Sequence, residues 1–224
     1  SWTLIATTGE RFARFAPYVA SVTSAGLVAF QAALRGGGTG VFVGDGANVE
    51  ELPGRPAVSG VTSHPDVNDA GSATYYAELE SGASGLVLVL RRGRSVEIVA
   101  DAGHGFSAIG PAGPTINEAG AVAFRAERPG GTTGVYLYEP TGEVRTLAES
   151  GDAWAGFHGL PVVTEDGAVV FRADLTDGRA GIYASARGEL EAVVVTGDRF
   201  EALGRFPAVD ARGTIVFAAT ETSG

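Results

Sequence analysis

The feature that most constrains this chain is a ten-residue string, Asn117-Glu-Ala-Gly-Ala-Val-Ala-Phe-Arg-Ala126, whose variants recur along all 224 positions. With each glycine in register, five copies appear at Gly26, Gly71, Gly120, Gly167 and Gly213, spaced 45, 49, 47 and 46 residues apart. An Asn, Asp or Thr three residues before a glycine is turn chemistry: the side-chain oxygen caps the turn and glycine supplies the left-handed exit. Beyond the glycine, Val122, Phe124 and Ala126 alternate as a half-buried strand does. Each copy therefore predicts a β-hairpin.

The flanks repeat too. Pro65, Pro114, Pro161 and Pro207 stand six residues before the glycine, and Phe30, Tyr75, Phe124, Phe171 and Phe217 four after it. A ring followed two residues later by alanine predicts packing between neighbouring units. Further apolar runs follow Gly40, Gly85, Gly134 and Gly181, and fourth runs lie at Val49 to Leu52, Val96 to Ala100, Val144 to Ala148 and Leu190 to Val195. Four antiparallel strands per unit at a period near 47 residues predict an all-β fold, a five-bladed β-propeller forming one repeat domain over residues 1–224. Trp2 to Ala6 matches a fourth strand, so the expectation is a ring closed by the N-terminal strand pairing into the last blade, which would hide both sheet edges.

Composition narrows the chemistry. There is no Cys and no Lys, so all 16 basic residues are Arg, and thiol nucleophiles, thiolate metal sites, Schiff bases and phosphate-loop lysines are excluded. A net charge of −10 without a basic stripe argues against nucleic acid. No apolar run is long enough to span a membrane. The absence of an initiator Met reads as a mature or excised piece.

Polar groups concentrate in the loops between units. After Gly9, Gly54, Gly103, Gly151 and Gly197 come Glu10, Arg55, His104, Asp152 and Asp198, and four of these loops continue to an aromatic: Phe12, Phe106, Trp154 or Phe200. Glu10, Arg55, His104, Asp152, Trp154 and Asp198 are the candidate ligand-binding set, four convergent polar groups with an anion contact and a stacking ring. The same pattern also reads as a turn anchored by an apolar side chain. No catalytic residue and no dedicated metal site is assigned. No cofactor is expected, and a cation near the central opening is what these acids would accommodate. Asp66, Asn68 and Asp69 before Gly71 hint at a calcium loop but lack the bidentate acid, and read as turn chemistry.

The string Asn117-x-x-Gly120-x-x-Ala123-Phe124-x-Ala126 resembles the NxxGxxAFxA tandem-repeat family of exported bacterial proteins. The match is complete only in this copy; elsewhere the first position is Thr23, Asn68, Thr164 or Asp210. The resemblance implies export to the bacterial surface, and a binding or display role toward a protein or glycan, with no reaction to carry over. The alternative is a propeller hydrolase or lyase using the acidic loop residues.

Overall fold

The computed structural model describes residues 2–52, 58–79, 86–93, 95–103, 105–186 and 188–222, and every regular element among them is a β-strand. The unit around Gly120 shows the plan. Val122–Glu127 pairs antiparallel with Thr133–Tyr138, from Val122↔Tyr138 to Glu127↔Thr133, and Thr133–Tyr138 pairs in turn with Val144–Glu149. The other edge of Val122–Glu127 takes two short strands, Ala108–Ile109 and Thr115–Ile116. At the hairpin tip the Gly120 N–H donates to Asn117 O at 3.0 Å and the Ala121 N–H to Asn117 Oδ1 at 2.9 Å. Gly120 sits at φ +83°, where a side chain would add about 1–2 kcal/mol of strain.

The same plan builds a first sheet from Phe12–Phe15, Ser21–Val22, Val28–Leu34, Thr39–Gly44 and Val49–Glu51, and a second from Val58–Val61, Asp66–Val67, Ala73–Leu79, Leu86–Arg92 and Ser95–Asp101. The fourth sheet has Trp154–Val163, Val169–Leu175, Ala180–Ala186 and Glu189–Val195. In the fifth unit Phe200–Leu203 pairs with Ala219–Glu221 and Ala208–Val209 with Ile215–Val216.

The entry strand is broken where continuity is expected. Pro17, Pro65, Pro111 with Pro114, and Pro207 each fall between its two halves; proline has no N–H to give a ladder. The fourth unit keeps one ten-residue strand, and its Pro161 lies inside a register shift between His158 and Val162.

The expected closure is not present. Residues 2–7 form no strand, and Trp2 is fully exposed instead of packed in a last blade. The side chains of Thr3 and Ile5 lie against Gly46 and Gly44 of the first unit itself. Strand-like patterning specifies no partner, and the nearer unit requires the smaller loop closure. The row of sheets is open.

Apolar cores form between successive sheets. Tyr76, Leu88 and Leu90 of the second unit meet Ile116, Phe124 and Tyr136 of the third. Ala123, Val135 and Leu137 of the third meet Phe157, Val169 and Phe171 of the fourth. Each sheet thus has a back face toward the preceding unit, carrying the repeated ring, and a forward face toward the next. A ring of this kind contributes about 1.5–3 kcal/mol when fully buried.

Candidate functional site

The loop set predicted from sequence resolves into a repeated anchor. The N–H of Gly9, Gly103, Gly151 and Gly197 donates to the carbonyl of Phe12, Phe106, Trp154 and Phe200 at 2.8 to 3.0 Å, one turn used four times. The aromatic that follows belongs to the core. Phe12 meets Phe42 edge-on at 4.8 Å, Phe106 meets Tyr136 at 4.9 Å, and Trp154 meets Tyr183 at 4.6 Å. Phe200 lies 6.0 Å from Phe217. Trp154 therefore spends its ring on its own sheet. Glu10, Asp152 and Asp198 are exposed, and no described hydrogen bond or ion pair joins any two of them. Arg55 and His104 lie outside the described residues. Among the described residues no three His, Asp or Glu side chains gather as metal ligands.

What the structure does bring together is a polar spine along the hairpin turns. Asn68 Nδ2 donates to Asn117 O at 3.0 Å, and Asn117 Nδ2 to Thr164 O at 2.9 Å. In the opposite direction acids reach back: Asp69 accepts from the Ala25 N–H, Glu118 from the Asp69 N–H and Glu165 from the Glu118 N–H, at 3.0, 2.7 and 3.0 Å. One strand further in, Ser21 Oγ accepts the Val67 N–H, Asp66 Oδ2 the Ile116 N–H and Thr115 Oγ1 the Val163 N–H. Burial pushes the Asp66 carboxyl up in pKa, and the Ser21 hydroxyl and Ile116 N–H pull against it. Asp66, Asn68 and Asp69 are thus engaged with neighbouring units, as turn chemistry and more. Sequence reading missed this role for Glu118.

A second polar group marks the seam between the fourth and fifth units. Asp174 holds His158 Nε2 at 2.7 Å through one oxygen and Arg172 Nη1 at 2.9 Å through the other. With both oxygens engaged the carboxylate is a clamp. Beside it Gly159, at φ +70°, approaches the Arg205 carbonyl so closely that a β-carbon would stand 1.8 Å from it.

One open concavity lies elsewhere, at the first unit beside residues 5–6. A groove of about 220 Å³ is lined by Ile5, Phe15, Tyr18, Val28, Phe30 and Gln31 among others. Phe15 and Phe30 meet edge-on at 5.5 Å, and the Tyr18 hydroxyl donates to Thr62 O at 3.2 Å. The Gln31 amide nitrogen donates to Val61 O, while its Oε1 is buried without a hydrogen-bond partner. A buried acceptor left unpaired costs about 1–3 kcal/mol, which a donor arriving from outside would recover. Of the equivalent rings, Tyr75, Phe124 and Phe171 are fully buried, whereas Phe30 and Phe217, in the first and fifth copies, are half-buried.

Comparison with solved structures supports propeller architecture. The β-propeller domain of the Trilobed protease from Pyrococcus furiosus, described as having an open velcro topology, matches with a TM-score of 0.52 at 15% identity over 75% of this chain and 51% of that one. A mutant of the Aleuria aurantia lectin in complex with Fucα1-6GlcNAc matches with a TM-score of 0.43 at 10% identity, over 80% of this chain and 62% of that one. The chain spans about half the length of the propeller domain it matches. No curated protein matches in sequence. A family model described as a family of unknown function, DUF7453, matches residues 81–224.

Proposed function

Because the chain belongs to this family of unknown function, membership brings no activity with it, and we propose from the site that it is a non-enzymatic binding or display module. Its scaffold in this reading is a five-unit propeller arc, exported to the outside of a bacterial cell, with a protein or glycan as ligand. Export rests on the resemblance of Asn117 to Ala126 to the exported repeat family. The observation that carries the binding role is the groove at the first unit, where Phe15, Tyr18 and Phe30 stand with Ile5 and Ala6, and the unpaired Gln31 acceptor lies on the side toward the second unit. Rings beside a single buried acceptor suit a ligand with a flat apolar face and one hydroxyl or amide donor, which describes a sugar or a peptide side chain.

A glycan and peptide array tests the reading, run with the wild-type protein, Phe15→Ala and Tyr18→Ala. Binding should fall about tenfold or more in each variant, the loss expected when one aromatic anchor worth roughly 1.4 kcal/mol or more is truncated. Hits that survive both substitutions would place the ligand elsewhere. Metal-dependent turnover abolished by Asp198→Asn would replace the reading with the hydrolase or lyase one.

A further inference from the structure

We infer that the groove between the second and third units is a binding site for a neutral saccharide, separate from the groove at the first unit. Val99, Ala100 and Asp101, from the last strand of the second sheet, line one side of it, and Phe106, Arg128 and Val144 of the third unit the other; it encloses about 510 Å³. Both units that form it have a neighbour on either side, so the groove belongs to the interior of the row.

Its polar groups are one donor and one acceptor of opposite charge. The Arg128 guanidinium lies over two rings, its carbon 5.6 Å from the centre of Phe106 and 5.3 Å from that of Tyr136. Its Nε donates to Glu149 and its Nη2 to Thr146 Oγ1 at 3.0 Å, which fixes the plane of the group. Nη1 takes no part in these bonds, so a donor edge is held in a set orientation before any ligand arrives. Arg11 of the first unit lies over Phe12 and Phe42 in the same manner, but it gives Nη1 to the Val49 carbonyl at 3.0 Å and Nη2 to Glu51. On the other side Asp101 is half-buried and has an interaction of its own; a carboxylate offers about four acceptor sites, so one partner does not exhaust it.

A guanidinium and a carboxylate bordering one groove leave it without net charge, and a charged ligand is repelled by one of the two. A hydroxyl both donates and accepts, so two neighbouring hydroxyls answer both groups together. The aliphatic carbons of Val99, Ala100 and Val144 supply the surface for the C–H face of a pyranose. Val99 stands at a register shift between Ile98 and Ala100, the kind of bulge that re-aims a side chain. Phe106 is 7% exposed and lies beneath Arg128, so the sugar rests on aliphatic carbon and not on a stacking ring.

Saturation-transfer NMR and calorimetric titration test the site, with methyl glycosides of neutral hexoses taken well into the millimolar range and a hexuronic acid and a hexosamine as comparison ligands. Wild type should bind at least one neutral glycoside, and more tightly than either charged sugar. Arg128→Gln and Asp101→Ala should each weaken that binding by about tenfold or more, the worth of one charge-assisted hydrogen bond, while Arg11→Gln, which loses a comparable stacked arginine, should leave it unchanged. Urea midpoints verify folding, and if Arg128→Gln does not fold, Asp101→Ala decides. No neutral glycoside bound, a preference for a charged sugar, or binding that survives Asp101→Ala each overturns the inference. Tyr18→Ala tells the two grooves apart: binding lost there and kept in Asp101→Ala puts the sugar at the first unit, so that this inference fails and the earlier reading stands. Binding lost in Asp101→Ala while the arrays return nothing that Tyr18→Ala removes gives the reverse.

Discussion

Asn117→Ala probes the turn spine at the point where one side chain serves two units. Asn117 is 2% exposed. Its Oδ1 accepts the Ala121 N–H within its own hairpin, and its Nδ2 donates to Thr164 O of the next unit. Truncation removes both bonds, each worth about 0.5–1.5 kcal/mol net. It also strands the Ala121 N–H, which is buried and has no route to water, adding a desolvation penalty of about 1–3 kcal/mol. Thr164 is only half-buried, so its carbonyl can turn to solvent at lower cost. The sum is about 2–6 kcal/mol, a substantial share of the roughly 5–15 kcal/mol that holds a domain folded. At about 2–4 °C per kcal/mol for a chain of this size, Tm should fall by roughly 4–24 °C. Urea titration followed by circular dichroism measures the loss directly. The comparator is Asp210→Ala, the equivalent turn residue of the fifth unit, which is exposed and whose carboxylate accepts from the N–H groups of Arg212 and Thr214 in its own turn. If Asn117→Ala destabilises no more than Asp210→Ala, the turn-to-turn bonds do not hold the units together and the argument fails.

Two further tests address the seam and the buried acid. Gly159→Ala forces a side chain into a left-handed residue and against the Arg205 carbonyl, for a loss of about 2–5 kcal/mol from strain plus overpacking; Gly178→Ala, at φ +89° with open space around it, should lose only the strain of about 1–2 kcal/mol. Equal thermal shifts in the two would disprove a tight contact between the fourth and fifth units. Because burial raises the Asp66 pKa, the folded state holds the proton more tightly, so the stability this brings is complete below the ordinary carboxylate value and is lost as pH rises through the folded one. Urea midpoints across that window should therefore show wild type losing ground to Asp66→Asn with rising pH, and the opposite trend would refute the sign.

The hairpins were legible because their information is local. A glycine at φ +74° to +84° with a capping residue three positions earlier is a short-range instruction, and Gly26, Gly71, Gly120, Gly167 and Gly213 all carry it out. The loop aromatics were misleading because a ring beside a polar turn looks the same whether it faces solvent or core. The spacing from Gly9 to Phe12 or Gly151 to Trp154, matched against the rings of the third strands, is the signal that places them inside. Glu118 is inconspicuous in the sequence because Ser24 and Ala211 stand at its place in the first and last units, while Asp69 and Glu165 keep the carboxylate in the units between. Closure was illegible because it is a pairing between distant segments, and Trp2 to Ala6 carries no instruction about which sheet edge to join.

The polar spine gives the array a direction. Amides point one way and carboxylates the other, so a unit is defined by what it hands to each side. Copies of the second and third units could be duplicated or exchanged in register and would still find matching donors and acceptors. The fifth already offers the fourth no such carboxylate, because Ala211 stands where Asp69, Glu118 and Glu165 reach back. Growth by tandem duplication, on this grammar, is open in the middle of the row, where each carboxylate meets an N–H of the unit before it.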